Sequence, residues 1–200
     1  MCEHKNTFVN SFKQFLNNIH PISDQDFNAG FRLFQEVNLL KGEYFVQQGE
    51  ICNQIGFVVE GTLRIFSSNQ SGKEVTTCFC TKHKTTTSYK SFIRQEPSEF
   101  AIQTIENAQL LTITSGDIEK LYQENEAWSI IGRRLMEREY LVMEGYAVML
   151  NRESAKEKYK KMIQDMPGII QVAKIEDLAS YLGVTRRTLT RIREEILHER

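Results

Sequence analysis

The stretch Ile175 to Ile196, IEDLASYLGVTRRTLTRIREEI, constrains this chain more tightly than any other. Ile175, Leu178, Ala179 and Leu182 recur at helical spacing, and Gly183 is placed to end that helix in the left-handed conformation. Thr185 suits the N-cap of a second helix, where its hydroxyl accepts a hydrogen bond from an orphan amide of the first turn. On that helix Leu189, Ile192 and Ile196 share one stripe and must pack inward. The opposite side carries Arg187, Thr190 and Arg191, with Arg186 and Arg193 at its edges. Small Ala179 lets the two helices approach, and the corner glycine follows four residues later. The spacing predicts a helix-turn-helix whose second helix enters the major groove of DNA. A surface hairpin with solvated arginines would need only the amphipathic pattern. The small residue, corner glycine, capping threonine and arginines coincide here, and that coincidence favours DNA reading.

Charge is distributed in the same sense. The net charge is −1, yet from Arg152 onward there are 11 Lys/Arg against 8 Asp/Glu, and before it 14 against 18. The basic surplus therefore lies with the arginine helix, as an electrostatic footprint on phosphates requires. A length of 200 residues gives one large or two small domains with real cores. Cys2, Cys52, Cys78 and Cys80 form no C-x-x-C pair and no metal-ligand run with histidine, so they read as reduced thiols of a cytoplasmic protein, packed in the case of the last three. The opening MCEHKNTFVNSFKQF has no apolar core of signal-peptide length, and no stretch reaches the length of a membrane span.

Taken in order, Phe8, Phe12, Phe15, Leu16 and Ile19 mark an amphipathic helix stopped near His20-Pro21, and Ser23 or Asp24 can cap a second through about Phe31. From Phe34 the period changes to two. Strands are predicted over Phe34–Leu40, Tyr44–Val46, Ile55–Val59, Thr62–Phe66, Val75–Cys80, Phe100–Ile105 and Leu110–Thr114, a β-sandwich or jelly roll. Ser115 is the expected N-cap of a helix to about Asn125, and a long helix follows from Ala127 to about Ser154. Its apolar positions cover more than one stripe, so one face can lie on the β domain while Ile131, Leu135, Val142 and Met149 meet a second copy. Lys156, Lys158, Lys160 and Lys161 then read as a solvated helix face. The fold class expected is α+β: an antiparallel β-roll over 1–126, a central dimerisation helix over 127–154, and a helix-turn-helix domain over 155–200.

This order of parts resembles the Crp/Fnr superfamily of bacterial transcription regulators. KGEYFVQQGEICNQIGFVVEGTLRIF is similar to the first half of its cyclic-nucleotide-binding domain, with Gly42, Gly49-Glu50, Phe57, Glu60-Gly61 and Phe66 at the family's turn and strand positions. ASYLGVTRRTLTRIR resembles its DNA-reading motif. The resemblance implies a homodimer on a pseudo-palindromic operator, with Arg186, Arg187 and Arg191 reaching base edges. Thr185 and Thr188 would touch the backbone, with Thr190 on the same face. It also implies RNA polymerase and an unidentified small-molecule effector as partners.

Two departures from the family pattern follow. Cyclic-nucleotide binders carry Gly-Glu for the ribose and Arg-Ser or Arg-Thr for the phosphate. Ser88-Tyr89 and Ser98-Glu99 stand in those places here, and neither Lys90 nor Arg94 occupies the motif position. A buried phosphate without its cation is costly, so no tight binding of cyclic AMP or cyclic GMP is expected. The sequence also ends at Arg200, where family members usually continue into a β-hairpin wing. No cofactor is expected. An iron–sulfur cluster lacks its cysteines, haem would have only His83 in the roll, and a metal-dependent roll enzyme would need converging histidines that His4, His20 and His198 do not supply. A sensory or interaction module that no longer regulates promoters is the other reading, and the intact arginine face argues against it.

Overall fold

The computed structural model describes residues 2–198, with side chains from Phe8 onward. Two helices open the chain, α1 (Cys2–Asn17) and α2 (Asp24–Phe31). Ser23 caps the second, its hydroxyl accepting from the Asp26 amide at 3.1 Å. Eight strands follow: β1 (Gln35–Leu39), β2 (Tyr44–Val46), β3 (Gln54–Glu60), β4 (Leu63–Ser68), β5 (Glu74–Cys80), β6 (Thr85–Thr86), β7 (Ala101–Thr104) and β8 (Ala108–Thr114). They form two antiparallel four-stranded sheets, ordered β1-β8-β3-β6 and β2-β7-β4-β5. Apart from the β4–β5 hairpin, consecutive strands thus alternate between sheets, as in a jelly roll. The expected α+β class and N-terminal antiparallel roll are the observed ones.

Between the sheets, Val46, Val58, Leu63, Ile102 and Leu110 make one core. A second core joins α1 and α2 to the outer face of β3 and β8, centred on Phe12, whose ring lies 4.9 Å from Phe34 and 5.0 Å from Phe57. The helix α3 (Tyr89–Arg94) and strand β6 lie in a stretch where periodicity gave no prediction. Each is too short to show a period.

The helix α4 (Ser115–Glu124) starts at the residue expected to cap it, one position earlier than that cap implies. Thr114, not Ser115, is the N-cap, accepting from the Asp117 amide at 3.1 Å, because Thr114 is still extended as the last residue of β8. The long helix α5 (Glu126–Arg152) is capped by Asn125. Its first turns are anchored by Trp128, whose Nε1 donates to the Asp26 carbonyl at 2.9 Å. That ring lies so close to Gly30 that a Cβ there would stand 2.3 Å from it, so α2 meets α5 only without a side chain at this point.

The middle of α5 departs from expectation. Ile131 and Met149 are buried inside the chain itself, and Leu135 packs against the Phe12 core, so none of the three faces outward; of the four residues expected at a dimer contact only Val142 is exposed. The open apolar residues are Met136, Tyr140, Leu141, Val142, Met143 and Val148. Positions 136, 140 and 143 lie on one helical face, with 141 and 148 beside it. The helix α6 (Ala155–Asp165) begins with a capping box between Ser154 and Glu157. Its Lys158 is not part of a solvated face: it is buried and donates to the Leu150 carbonyl at 2.8 Å, tying α6 to the C-terminal turn of α5. A single turn α7 (Ile169–Val172) precedes the last two helices, α8 (Ile175–Tyr181) and α9 (Arg186–His198).

Candidate nucleic-acid interface

The last two helices form the expected pair around a sharp corner. Gly183 has φ +66°, the left-handed value that stops α8. Thr185 accepts from the Thr188 amide at 3.1 Å, so it caps α9. Leu178 and Ala179 of α8 and Leu182 at its C-cap pack on Leu189 and Ile192 of α9, and Tyr159, Met162 and Ile169 complete this core. Burying one stripe of α9 fixes where its other side points. Arg186, Arg187, Thr190 and Arg191 are all exposed, with Thr185 at the start of the same helix and Thr188 half-buried behind them.

The exposed residues are not equally free. Arg186 holds Glu176 of α8 at 2.7 Å, and Arg191 holds Glu195 one turn along at 2.7 Å. Arg187 has no ion-pair partner among the described residues. Thr190 spends its hydroxyl proton on the Arg186 carbonyl at 3.0 Å, which leaves it a weaker candidate for donating to a phosphate. The Thr185 and Thr188 hydroxyls lie 2.9 Å apart at the helix start.

In the roll, Ser88 and Ser98 come together. Both are buried, their hydroxyls stand 2.8 Å apart, and Ser98 Oγ also donates to the Phe100 carbonyl at 2.6 Å. Ser98 is further tied to the β2–β3 loop, where the Gly49 amide donates to its carbonyl at 2.8 Å. The two serines thus bond to each other, and among the described residues no cation is buried beside them. Glu99 lies at the surface paired with Lys90, and Arg94 is exposed, so neither nearby cation enters the serine pair's surroundings. Tyr89 is half-buried, its hydroxyl enclosed beside Thr85. Burial raises its phenol above the usual range, with the Glu139 carboxylate adding to the effect. Glu139 on α5 is itself raised by burial, against the pull of Arg138 and Lys84.

Of the cysteines expected to be packed, Cys52 and Cys80 are buried, whereas Cys78 is exposed. His83 has Nε2 at 2.8 Å from the Ser11 hydroxyl and stacks on Phe57. Among the described residues no group of three or more His, Cys, Asp or Glu is placed to hold a metal, and no helix is long and apolar enough to cross a membrane.

Sequence reasoning missed Arg64. It sits in strand β4, LRIFSS, on the face opposite Leu63 and Ile65, where a charged side chain reads as pointing to solvent. The structure instead buries it under α8, where it meets Asp177 at 3.1 Å. An arginine amid strand residues as apolar as Leu63, Ile65 and Phe66 was the available signal.

Comparison with known proteins agrees with this architecture. Residues 36–125 match the family model of the cyclic nucleotide-binding domain. No curated protein matches the chain in sequence. Among solved structures, FixK2 from Bradyrhizobium japonicum superposes with a TM-score of 0.64 at 18% identity, over 83% of this chain and 85% of that one. The c-di-GMP responsive global regulator CLP of Xanthomonas campestris gives 0.66 at 13% identity, over 88% and 93%. The catabolite activator protein of Thermus thermophilus gives 0.56 at 16%, over 90% and 86%. Residues 36–125 thus fold as the cyclic nucleotide-binding domain model describes, and the chain as a whole shares the fold of these three solved structures.

Proposed function

We propose that this chain is a homodimeric, sequence-specific DNA-binding transcription regulator whose β-roll does not respond to cyclic AMP. One observation carries the reading: α9 buries Leu189 and Ile192 and thereby turns Arg186, Arg187 and Arg191 outward together. Arginine suits base reading because its planar fork can bond O6 and N7 of one guanine at once. Thr185 and Thr188, at the helix start, are placed for backbone phosphates. In this reading residues 1–126 sense, 127–154 dimerise and 155–200 bind the operator, with RNA polymerase the partner met on cytoplasmic DNA.

The exposed residues of α5 support the dimer. Met136, Tyr140 and Met143 share one exposed face of α5, flanked by exposed Leu141, Val142 and Val148, an apolar surface of the kind that monomeric proteins rarely leave open. A twofold axis along α5 would cover it and present α9 twice, about 34 Å apart on the duplex. The contact therefore centres on Met136, Tyr140 and Met143 with Val142, in place of Ile131, Leu135 and Met149.

The buried serine pair supports the second half of the reading. A cyclic phosphate placed beside Ser98 would find hydroxyls already engaged and no guanidinium, and an anion buried without a counter-charge loses its hydration uncompensated. The family match over 36–125 describes the roll's fold, and the roll stays open to an effector of other chemistry.

Fluorescence anisotropy of the full chain on labelled duplexes, across a salt series, tests the proposal. Affinity for at least one duplex should fall steeply as salt rises, because neutralised phosphates release counterions. Absence of salt-dependent binding to any duplex refutes it.

A further inference from the structure

We propose that strand β5 holds the helix-turn-helix on the roll through a buried ionic latch, in which Arg64 of β4 clamps Asp177 of α8. The arrangement begins with a bulge. Ile65 pairs with Cys78 and Phe66 with Thr76, so Thr77 is an extra residue in β5. Because side chains alternate across a strand, the insertion puts Thr76 and Phe79 on the same face, with Arg64 and Phe66 beside them. That face is the one α8 covers. Arg64 is buried there, with Nε donating to Thr76 Oγ1 at 2.8 Å and Nη1 to Glu74 at 2.7 Å, while Nη2 forms an ion pair with the Asp177 carboxylate at 3.1 Å and the guanidinium lies 4.2 Å from the Phe66 ring centroid.

Three further contacts complete the docking. The Thr76 amide donates to Ser180 Oγ at 3.0 Å, outside the strand ladder. Phe79 meets the Tyr181 ring edge-on at 5.4 Å, and the Tyr181 carbonyl accepts from the Tyr146 hydroxyl of α5 at 2.6 Å. Since α8 and α9 share one core, the orientation of α8 fixes that of the arginine face. The other face of β5 carries Cys80 into the core between the sheets. One strand therefore touches both the roll interior and the DNA-binding helices, and a shift of β5 moves the arginine face.

The charges decide how the latch opens. Glu74 is partly exposed and can regain water if Arg64 is lost, whereas the Asp177 side chain is 12% exposed and cannot while α8 stays docked. Burial raises Asp177 above the usual carboxylate range, more than Arg64 and Lys174 lower it. Removing the guanidinium strands a buried anion, and α8 must leave to hydrate it. Removing the anion as well leaves a neutral contact that Phe79, Leu178 and Tyr181 can hold, since neutral replacement of a buried ion pair is well tolerated.

The inference rests on the DNA-reading proposal only for its consequence at the operator, so its test uses no DNA. Amide hydrogen exchange is followed at Thr76 in the full chain. Arg64→Met should speed exchange there by at least about tenfold while β3 and β8 keep their protection, and Arg64→Met with Asp177→Asn should restore it. Should Arg64→Met deprotect the whole roll, Asp177→Arg carries the test, because it alters no residue of the roll and sets two guanidiniums face to face. Selective loss at Thr76 is then the expected result. A Thr76 amide that stays protected in the single variants, or is not rescued in the double one, overturns the latch.

Discussion

Arg187 stands open on α9, whereas Arg186 and Arg191 each hold a carboxylate at 2.7 Å. All three can reach a base edge, but two must first exchange an exposed ion pair, and such pairs are weak enough to give way. Arg187→Ala or Arg191→Ala should cost about 1–3 kcal/mol of discrimination at one base pair while sparing binding to random DNA. Competition between the preferred duplex and single-base variants measures this; equal weakening on all sequences would move the arginine to the phosphates. At Ser98 the expectation is as specific. Calorimetry with cyclic AMP should give no binding heat, because the buried site already satisfies its hydroxyls and holds no cation. A micromolar heat signature contradicts that. The arginine face was legible because its residues are defined by what cannot be buried. Lys158, Arg64 and Asp177 were illegible for the converse reason: each is charged, yet a partner on another element makes its burial possible, the preceding helix for Lys158 and a residue far along the chain for Arg64 and Asp177, and the residue pattern carries no record of such partners.

For single elements, the α8–α9 corner depends on Gly183 at φ +66° and on Leu189, which is fully buried between α6, α8 and α9. Gly183→Ala places its Cβ in ordinary contact with Leu150 Cδ2 at 3.6 Å but must hold an alanine in the left-handed region, at about 1–2 kcal/mol. Leu189→Ala leaves a cavity and should cost about 2–5 kcal/mol. Thermal melts read by circular dichroism measure both, and a Leu189→Ala melt coincident with the parent would place that side chain outside the core. Elements with several turns or a full alternation were readable: all strands but β6, and every helix of seven residues or more. The shorter α3, α7 and β6 contain too few residues for a period to emerge. The N-cap of α4 moved to Thr114 because strand β8 and helix α4 share that junction without a loop, leaving two hydroxyl residues as rivals for one cap.

At the scale of the molecule, the stripe of α5 that meets the roll had to be seen rather than read. Apolar residues surround the helix from Ile130 to Leu150, so its period names several faces, and only the position of the Phe12 core selects Ile131 and Leu135 for the interior. The face left open predicts that Met143→Glu, which places two carboxylates across a twofold axis, yields a monomer by sedimentation equilibrium with its melting temperature little changed. A Met143→Glu dimer would remove α5 as the interface. The central claim is that paired arginine faces read one duplex, and selection of the full chain against a randomised duplex pool, sequenced after binding at two salt concentrations, tests it most directly. The account predicts an enriched pseudo-palindrome with half-site centres one helical turn, about 10 base pairs, apart. Enrichment of no sequence, or of a single half-site without its inverted copy, would contradict it.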